Sequence, residues 1–206
     1  MWLKICGVTD ADAVEAALAA GVDALGFVFS PSVRRQDPMQ AAQLAARARG
    51  RVALVAVTLH PPQPLVDEIL RVFRPDALQA ELADFERLSL PQGLARLPVV
   101  RGALATDAAA TDGALAAGGV LPPRLLFEGA RSGSGEIADW GAAAVLAGRS
   151  ELILAGGLDA SNVAAAIRAV RPFGVDVSSG VEAAPGRKSA RKIAEFVAAA
   201  RAAAGD

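Results

Sequence analysis

The sequence has one cysteine, one histidine and no tyrosine among its 206 residues. A single cysteine excludes an intramolecular disulfide, and nothing in the sequence has the spacing of zinc ligands. With one histidine as well, a metal ion would find few ligands other than carboxylates. The sequence therefore predicts no metal site.

Neither sign of charge is in excess, with 21 basic residues against 22 acidic ones. Without a basic excess or a run of Lys and Arg, we expect neither nucleic acid nor an anionic membrane as a partner. The N-terminus lacks the basic segment and apolar core of a signal peptide, and no apolar stretch is long enough to cross a bilayer. We therefore expect a cytoplasmic protein.

Apolar residues are plentiful, at 53% of the chain, and they are arranged periodically. Eight short apolar runs alternate with Ala-rich segments of helical period, a pattern typical of parallel strands joined by crossover helices. The runs cover residues 3–6, 24–29, 52–59, 77–79, 98–100, 125–128, 152–155 and 175–177. Their spacing predicts an α/β fold, a single (β/α)8 TIM barrel that forms one domain over residues 1–206. The weakly periodic stretch 103–120 is interpreted as an irregular fifth unit.

Several helix boundaries are also visible. Thr9, with Asp12 three residues later, resembles a capping box at a helix start. Gly21 suits the left-handed position after that helix, and Pro38 suits the first turn of the next helix.

The first strand carries two residues with chemical potential, Lys4 and Cys6. Side chains alternate across a strand, so Leu3 and Ile5 should face the helices while Lys4 and Cys6 face the barrel interior. A nearby ammonium lowers the pKa of a thiol, which would let Cys6 act as a general base. The alternative, a small buried hydrophobic Cys6, is equally compatible with these residues.

Glu128 follows the sixth apolar run directly and precedes a glycine-rich loop. Catalytic residues of α/β barrels lie at the carboxyl ends of the strands, so Glu128 is a candidate acid/base residue opposite Cys6. An ordinary solvated glutamate on a loop explains the same pattern.

The turns after the last two strands are rich in glycine and serine. Gly156 and Gly157 follow strand seven, and Ser178, Ser179 and Gly180 follow strand eight. Barrels commonly bind phosphate at these two turns through backbone N–H groups. The pair of turns predicts a phosphorylated small-molecule ligand.

The loop after strand two carries Arg34, which can bind a carboxylate or phosphate at the barrel mouth. A surface ion pair is the alternative for this arginine. His60, at the end of strand three, is interpreted as a polar rim residue.

These segments together resemble the phosphoribosylanthranilate isomerase family over nearly the whole chain. Five motifs carry the resemblance: Lys4-Ile-Cys-Gly7, Ser32-Val-Arg34, Leu125-Leu-Phe-Glu128 with Gly133-Ser-Gly135 after it, Ala155-Gly-Gly-Leu158 and Val175-Asp-Val-Ser-Ser-Gly-Val-Glu182.

The resemblance implies an Amadori rearrangement of N-(5-phosphoribosyl)anthranilate in tryptophan biosynthesis, with no cofactor. It implies Cys6 as general base and Glu128 as general acid, where family members often have aspartate. A carboxyl pKa raised by partial burial would suit that acid. The substrate-binding residues it implies are Lys4, Arg34, Gln79 and Asp176. Gln79 is the remaining match to the family's Gln-Leu-His-Gly, because Glu81 stands in place of the histidine.

Two alternatives stay open on the sequence. One is another phosphosugar isomerase or an indole-forming synthase of similar barrel design, which would not need the Cys6 and Glu128 pair. The other is a barrel that binds an anionic metabolite without catalysis. A monomer and a homodimer are both compatible with these patterns.

Overall fold

Eight parallel strands form a closed barrel, in which each strand pairs with the next and β8 pairs with β1. The computed structural model describes residues 1–101, 121–129 and 137–205. The strands are β1 (Trp2–Cys6), β2 (Ala24–Val28), β3 (Ala53–Val57), β4 (Ala77–Glu81), β5 (Ala95–Arg101), β6 (Arg124–Glu128), β7 (Glu151–Leu154) and β8 (Gly174–Val177). This confirms the predicted (β/α)8 barrel. The stretch 103–120, interpreted as an irregular fifth unit, lies outside the described residues.

Helices follow the strands along the chain and cover the barrel. They are α1 (Ala11–Ala20), α2 (Pro38–Ala45), α3 (Gln63–Val72), α4 (Asp84–Arg87), α5 (Trp140–Ala147), α6 (Val163–Val170) and α7 (Ala190–Ala204).

The strand alternation produces two apolar layers. Leu3 and Ile5 belong to the layer between strands and helices, whereas Val55, Val99 and Leu126 fill the barrel interior. Burying a large aliphatic side chain contributes roughly 1.5–3 kcal/mol, so each layer favours one register of the strands. The interior apolar layer does not extend over the carboxyl ends of all the strands, where polar side chains can therefore lie.

The predicted cap at Thr9 is wrong. Asp10 caps α1, because its Oδ1 accepts a hydrogen bond from the N–H of Ala13 at 2.8 Å. Thr9 instead donates its hydroxyl proton to the carbonyl oxygen of Gly186 at 2.6 Å. The predictions for the left-handed Gly21, with φ of 73°, and for Pro38 in the first turn of α2 are confirmed.

The segment between β8 and α7 has more structure than the sequence analysis predicted. A short 3-10 turn, Ser179–Val181, leads into the antiparallel hairpin of β9 (Glu182–Ala184) and β10 (Arg187–Lys188). The hydrogen bond from Thr9 to Gly186 connects this hairpin to the loop after β1. The hairpin therefore brings Glu182 and Lys188 to the barrel mouth.

Candidate active site

A cavity of about 230 Å³ opens at the carboxyl ends of the strands. It brings together six of the predicted site residues: Cys6, Arg34, Gln79, Glu128, Asp176 and Ser178. The rest of its lining comes from Val28, Ser30, Pro31, Ser32, Val57, Thr58, Leu59, Val99 and Arg101. Valines from three strands, Val28, Val57 and Val99, contribute apolar surface to the wall.

Lys4 is fully buried beneath this cavity and does not line it. Its Nζ donates a hydrogen bond to Oδ1 of Asp176 at 2.8 Å, across the β1–β8 seam where the two residues are register partners. Burial by itself lowers the pKa of Lys4, but Asp176, with a smaller contribution from Cys6, more than offsets this and raises the pKa. The hydrogen bond from Lys4 therefore fixes the orientation of the Asp176 side chain.

Cys6 lies inside the barrel as predicted, but the predicted fall in its pKa is wrong. Burial raises the pKa of the thiol above its ordinary value. The positive charge of Lys4 lowers the pKa of the thiol and so opposes the effect of burial. The negative charge of Asp176 raises that pKa and so adds to the effect of burial. The cation lowers the pKa of the thiol as predicted, but desolvation and the anion paired with that cation outweigh its effect.

Glu128 ends β6 with its side chain in the cavity and is 9% exposed. Its Oε1 forms an ion pair with Nη1 of Arg101, which ends the neighbouring strand β5. The Nε of Arg101 also donates to Oε1 of Glu81 at 2.6 Å. The partial burial predicted for Glu128 is confirmed, but a guanidinium that the sequence analysis did not consider accompanies it.

Arg34 reaches the mouth as predicted and is held there by Glu182. Its Nε and its Nη2 donate to the two carboxylate oxygens of Glu182 at 2.7 and 2.9 Å. Lys188 donates to the same carboxylate at 2.9 Å and to the carbonyl oxygen of Ser178 at 3.0 Å. Although burial raises the pKa of Glu182, the hydrogen bonds from Arg34 and Lys188 outweigh it and lower the pKa. These contacts fix the orientation of the Arg34 guanidinium. They also connect it, through Glu182 and Lys188, to Ser178 in the turn after β8.

The two glycine-rich turns lie against each other. Gly156 and Gly157 have φ angles of 90° and 63°, which favour glycine, and the carbonyl oxygen of Gly157 accepts a hydrogen bond from the side-chain amide of Asn162 at 2.8 Å. A β carbon on Gly180 would overlap the carbonyl oxygen of Leu158. The close approach of the two turns explains why residue 180 is a glycine.

Gln79 contributes a polar atom to the cavity wall. The residue is 5% exposed, and within the described parts of the chain its Oε1 accepts no hydrogen bond. A buried acceptor without a hydrogen bond costs free energy, and a ligand that donates a hydrogen bond to it would remove that cost.

His60 lies on the rim, in agreement with its interpretation. Its side chain is exposed, and its Nδ1 lies 3.0 Å from Oδ1 of the buried Asp84. It does not line the cavity.

Sequence reasoning missed three charged residues of the site, namely Arg101, Glu182 and Lys188. Arg101 follows Val99 by two positions and therefore shares its face of β5, but a charged residue does not extend the apolar run 98–100. The predicted Gly133-Ser-Gly135 motif lies outside the described residues. Over the part of the chain that the structure covers, no cluster of His, Cys, Asp and Glu is arranged to hold a metal ion. No helix in those same ranges is both long and apolar enough to cross a membrane.

Comparisons with known proteins agree with this geometry. Residues 3–199 match the sequence model of the family described as N-(5'-phosphoribosyl)anthranilate (PRA) isomerase. The N-(5'-phosphoribosyl)anthranilate isomerase of Azorhizobium caulinodans is 39% identical over 98% of this chain and 92% of its own length.

Solved structures show the same similarity. Phosphoribosyl anthranilate isomerase from Thermus thermophilus superposes with a TM-score of 0.81 at 29% identity, covering 98% of this chain and 99% of that one. A phosphoribosyl anthranilate isomerase in complex with reduced 1-(o-carboxyphenylamino)-1-deoxyribulose 5-phosphate superposes with a TM-score of 0.77 at 28% identity, with the same coverage. The chain belongs to the N-(5'-phosphoribosyl)anthranilate isomerase family of enzymes.

Proposed function

We propose that this protein converts N-(5-phosphoribosyl)anthranilate to 1-(2-carboxyphenylamino)-1-deoxyribulose 5-phosphate, as a single catalytic domain in the cytoplasm. The observation that carries the proposal is the presence of Cys6 and Glu128 in one cavity that also includes Ser178, from the turn after β8. The glycine-rich turn after β7 packs against that turn. The complex of a family member with a reduced form of this product supports the substrate class.

The chemistry requires one acid and one base. Glu128, in its protonated form, gives its proton to the ring oxygen of the ribose, and the C1–O bond breaks to leave an iminium ion. The Cys6 thiolate then removes the proton from C2, and the electrons of that bond reduce the iminium to an enolamine. Tautomerisation gives the ketone. No external oxidant or cofactor enters the balance, because the sugar is oxidised at C2 as it is reduced at C1.

A raised pKa changes how Cys6 serves as the base. Less of the thiol is ionised at neutral pH, but each thiolate that forms is a stronger base toward a carbon acid. Lys4 limits the cost of forming that thiolate. The productive form therefore carries the Cys6 thiolate together with a protonated Glu128.

The remaining site residues orient the substrate. Gly156, Gly157 and the segment Ser178-Ser179-Gly180 bind the phosphate through backbone N–H groups. The guanidinium of Arg34 binds the anthranilate carboxylate. Holding both ends of the substrate places the reacting atoms between acid and base, which lowers the entropic cost of reaction.

Three side chains complete this arrangement. Asp176 faces the anthranilate end of the substrate, and Gln79 offers its side-chain amide to the substrate's polar atoms. Lys4 acts through Asp176, because its own ammonium is buried below the cavity.

The competing function is a barrel that binds an anionic metabolite without turning it over. Purified protein is mixed with freshly generated phosphoribosylanthranilate, and the loss of anthranilate-type fluorescence is followed. Enzyme-dependent loss supports the isomerase. Binding of the phosphosugar without any loss of fluorescence contradicts the isomerase and favours the binding protein.

A further inference from the structure

Three charged residues end three neighbouring strands at the barrel mouth. Glu81 ends β4, Arg101 ends β5 and Glu128 ends β6, and Arg101 and Glu128 are direct register partners. Arg101 spans the two carboxylates, donating from Nε to Glu81 at 2.6 Å and forming an ion pair through Nη1 with Glu128. One guanidinium therefore links both glutamates.

The two glutamates differ in their relation to the cavity. Glu128 and Arg101 line it, whereas Glu81 does not and holds the guanidinium from the other side. The side chains of Glu81, Arg101 and Glu128 are 16%, 21% and 12% exposed, so water screens their interaction only partly. Glu81 therefore influences the chemistry only through Arg101 and through its own charge.

One guanidinium serves two carboxylates in this triad. Arg101 contacts both Glu81 and Glu128, so its positive charge is divided between the two acids. Two carboxylates that compete for one cation favour the uptake of a proton, whereas a carboxylate with its own arginine resists it. Because Arg101 also pairs with Glu81, it stabilises the ionised form of Glu128 less than an arginine paired with Glu128 alone would.

Other charged groups face Glu128 from across the cavity. They are Cys6 on β1, Asp176 on β8 and Arg34 on the loop after β2. Asp176 is paired with Lys4, and Arg34 is paired with Glu182. The adjoining strand β7 contributes apolar Ile153 to the interior layer. Arg101 differs from these groups because it is in direct contact with Glu128.

We propose that Glu81 and Arg101 form a positioning pair that sets the orientation and the protonation of Glu128. Arg101 holds the carboxyl group of Glu128 at the cavity wall. Because Glu81 also pairs with Arg101, the guanidinium stabilises the ionised form of Glu128 less, and Glu128 retains a proton for the reaction. The functional consequence rests on the proposed role of Glu128 as general acid. The effect on protonation is a property of the free protein and is measured separately.

The test is an NMR titration of the Glu128 side-chain carboxyl carbon in protein labelled with 13C-glutamate, assigned by loss of the signal in Glu128→Gln. In Arg101→Gln the cation is removed, so the titration midpoint should rise by about one pH unit. In Glu81→Gln the arginine serves Glu128 alone, so the midpoint should fall by about half a unit or more. A purely structural role would not shift the two midpoints in opposite directions.

Two further variants serve as controls. Glu151→Gln removes the exposed partner of Arg124 at the other end of β6 and should leave the Glu128 midpoint unchanged. Arg101→Lys keeps the positive charge, so its midpoint should lie closer to wild type than that of Arg101→Gln. Amide NMR spectra of each variant verify that it folds.

Shifts in the same direction, or no shift in either variant, would overturn the proposal. With turnover established, both Glu81→Gln and Arg101→Gln should lower kcat several-fold. In Glu81→Gln, KM should stay within about twofold, because Glu81 does not line the cavity. Opposite midpoint shifts in a protein without isomerase turnover would support the pair and reject the proposed function.

Discussion

Nζ of Lys4 and Oδ1 of Asp176 lie 2.8 Å apart, with their side chains 0% and 8% exposed. Removing one partner of such a pair leaves an uncompensated buried charge, which typically costs about 3–5 kcal/mol. We therefore expect Lys4→Met and Asp176→Asn each to lower the free energy of unfolding by that amount in urea denaturation. The double variant should lose less than the sum of the two. Strict additivity would show that the pair does not couple.

Stability should fall in acid because the pKa of Glu182 is lowered in the folded protein. A lowered folded-state pKa contributes stability above the ordinary glutamate value of 4.5, and that contribution is lost as the pH falls below it. The stability difference between wild type and Glu182→Gln, measured as Tm, should therefore be constant near neutrality and shrink below pH about 4.5. A difference that grows in acid would contradict this assignment.

The single cysteine allows an unambiguous test of thiol reactivity. Because burial raises the pKa of Cys6, little thiolate is present at pH 7. Alkylation by iodoacetamide should proceed at least about tenfold more slowly than that of a free thiol, and the rate should keep increasing above pH 8.5. Lys4→Met should slow it further at a given pH. Rapid labelling at neutral pH would show that the thiol is activated in the free protein.

Gly180 should be sensitive to the addition of a single methyl group. In Gly180→Ala the new β carbon meets the carbonyl oxygen of Leu158, so the two glycine-rich turns must separate. We expect KM for the phosphosugar to rise at least about tenfold, equivalent to about 1.4 kcal/mol of binding. The matched control is Gly93→Ala, where a β carbon meets nothing within 4 Å. Equal KM values in both variants would argue against a phosphate site at this turn.

The fold and the interior direction of Lys4 and Cys6 were predictable because both follow from periodicity. Apolar runs at regular spacing define parallel strands, and alternation along β1 assigns each side chain to one face. The hairpin after β8 was not predictable in this way, since its two strands are three and two residues long. Segments that short carry no hydrophobic period.

The electrostatics of the site depend on partners that are distant in sequence. The prediction for the Cys6 pKa failed because it used Lys4, two residues away, and omitted two effects that raise the pKa. The larger is the burial of the thiol, and the smaller is the charge of Asp176, which lies 172 residues from Lys4. Arg34 likewise gave no indication of its partner Glu182, 148 residues along the chain. The local sequence identifies which ionisable side chains are present, whereas the closure of the barrel determines which of them contact each other.

The central claim is that Cys6 and Glu128 act as a base and an acid on one bound substrate. The most direct measurement is kcat/KM for phosphoribosylanthranilate in wild type, Cys6→Ala and Glu128→Gln, with binding of the reduced product measured in all three. The account predicts that each variant binds the product analogue but loses about 10²–10⁴-fold in kcat/KM. Turnover within tenfold of wild type in either variant would contradict it.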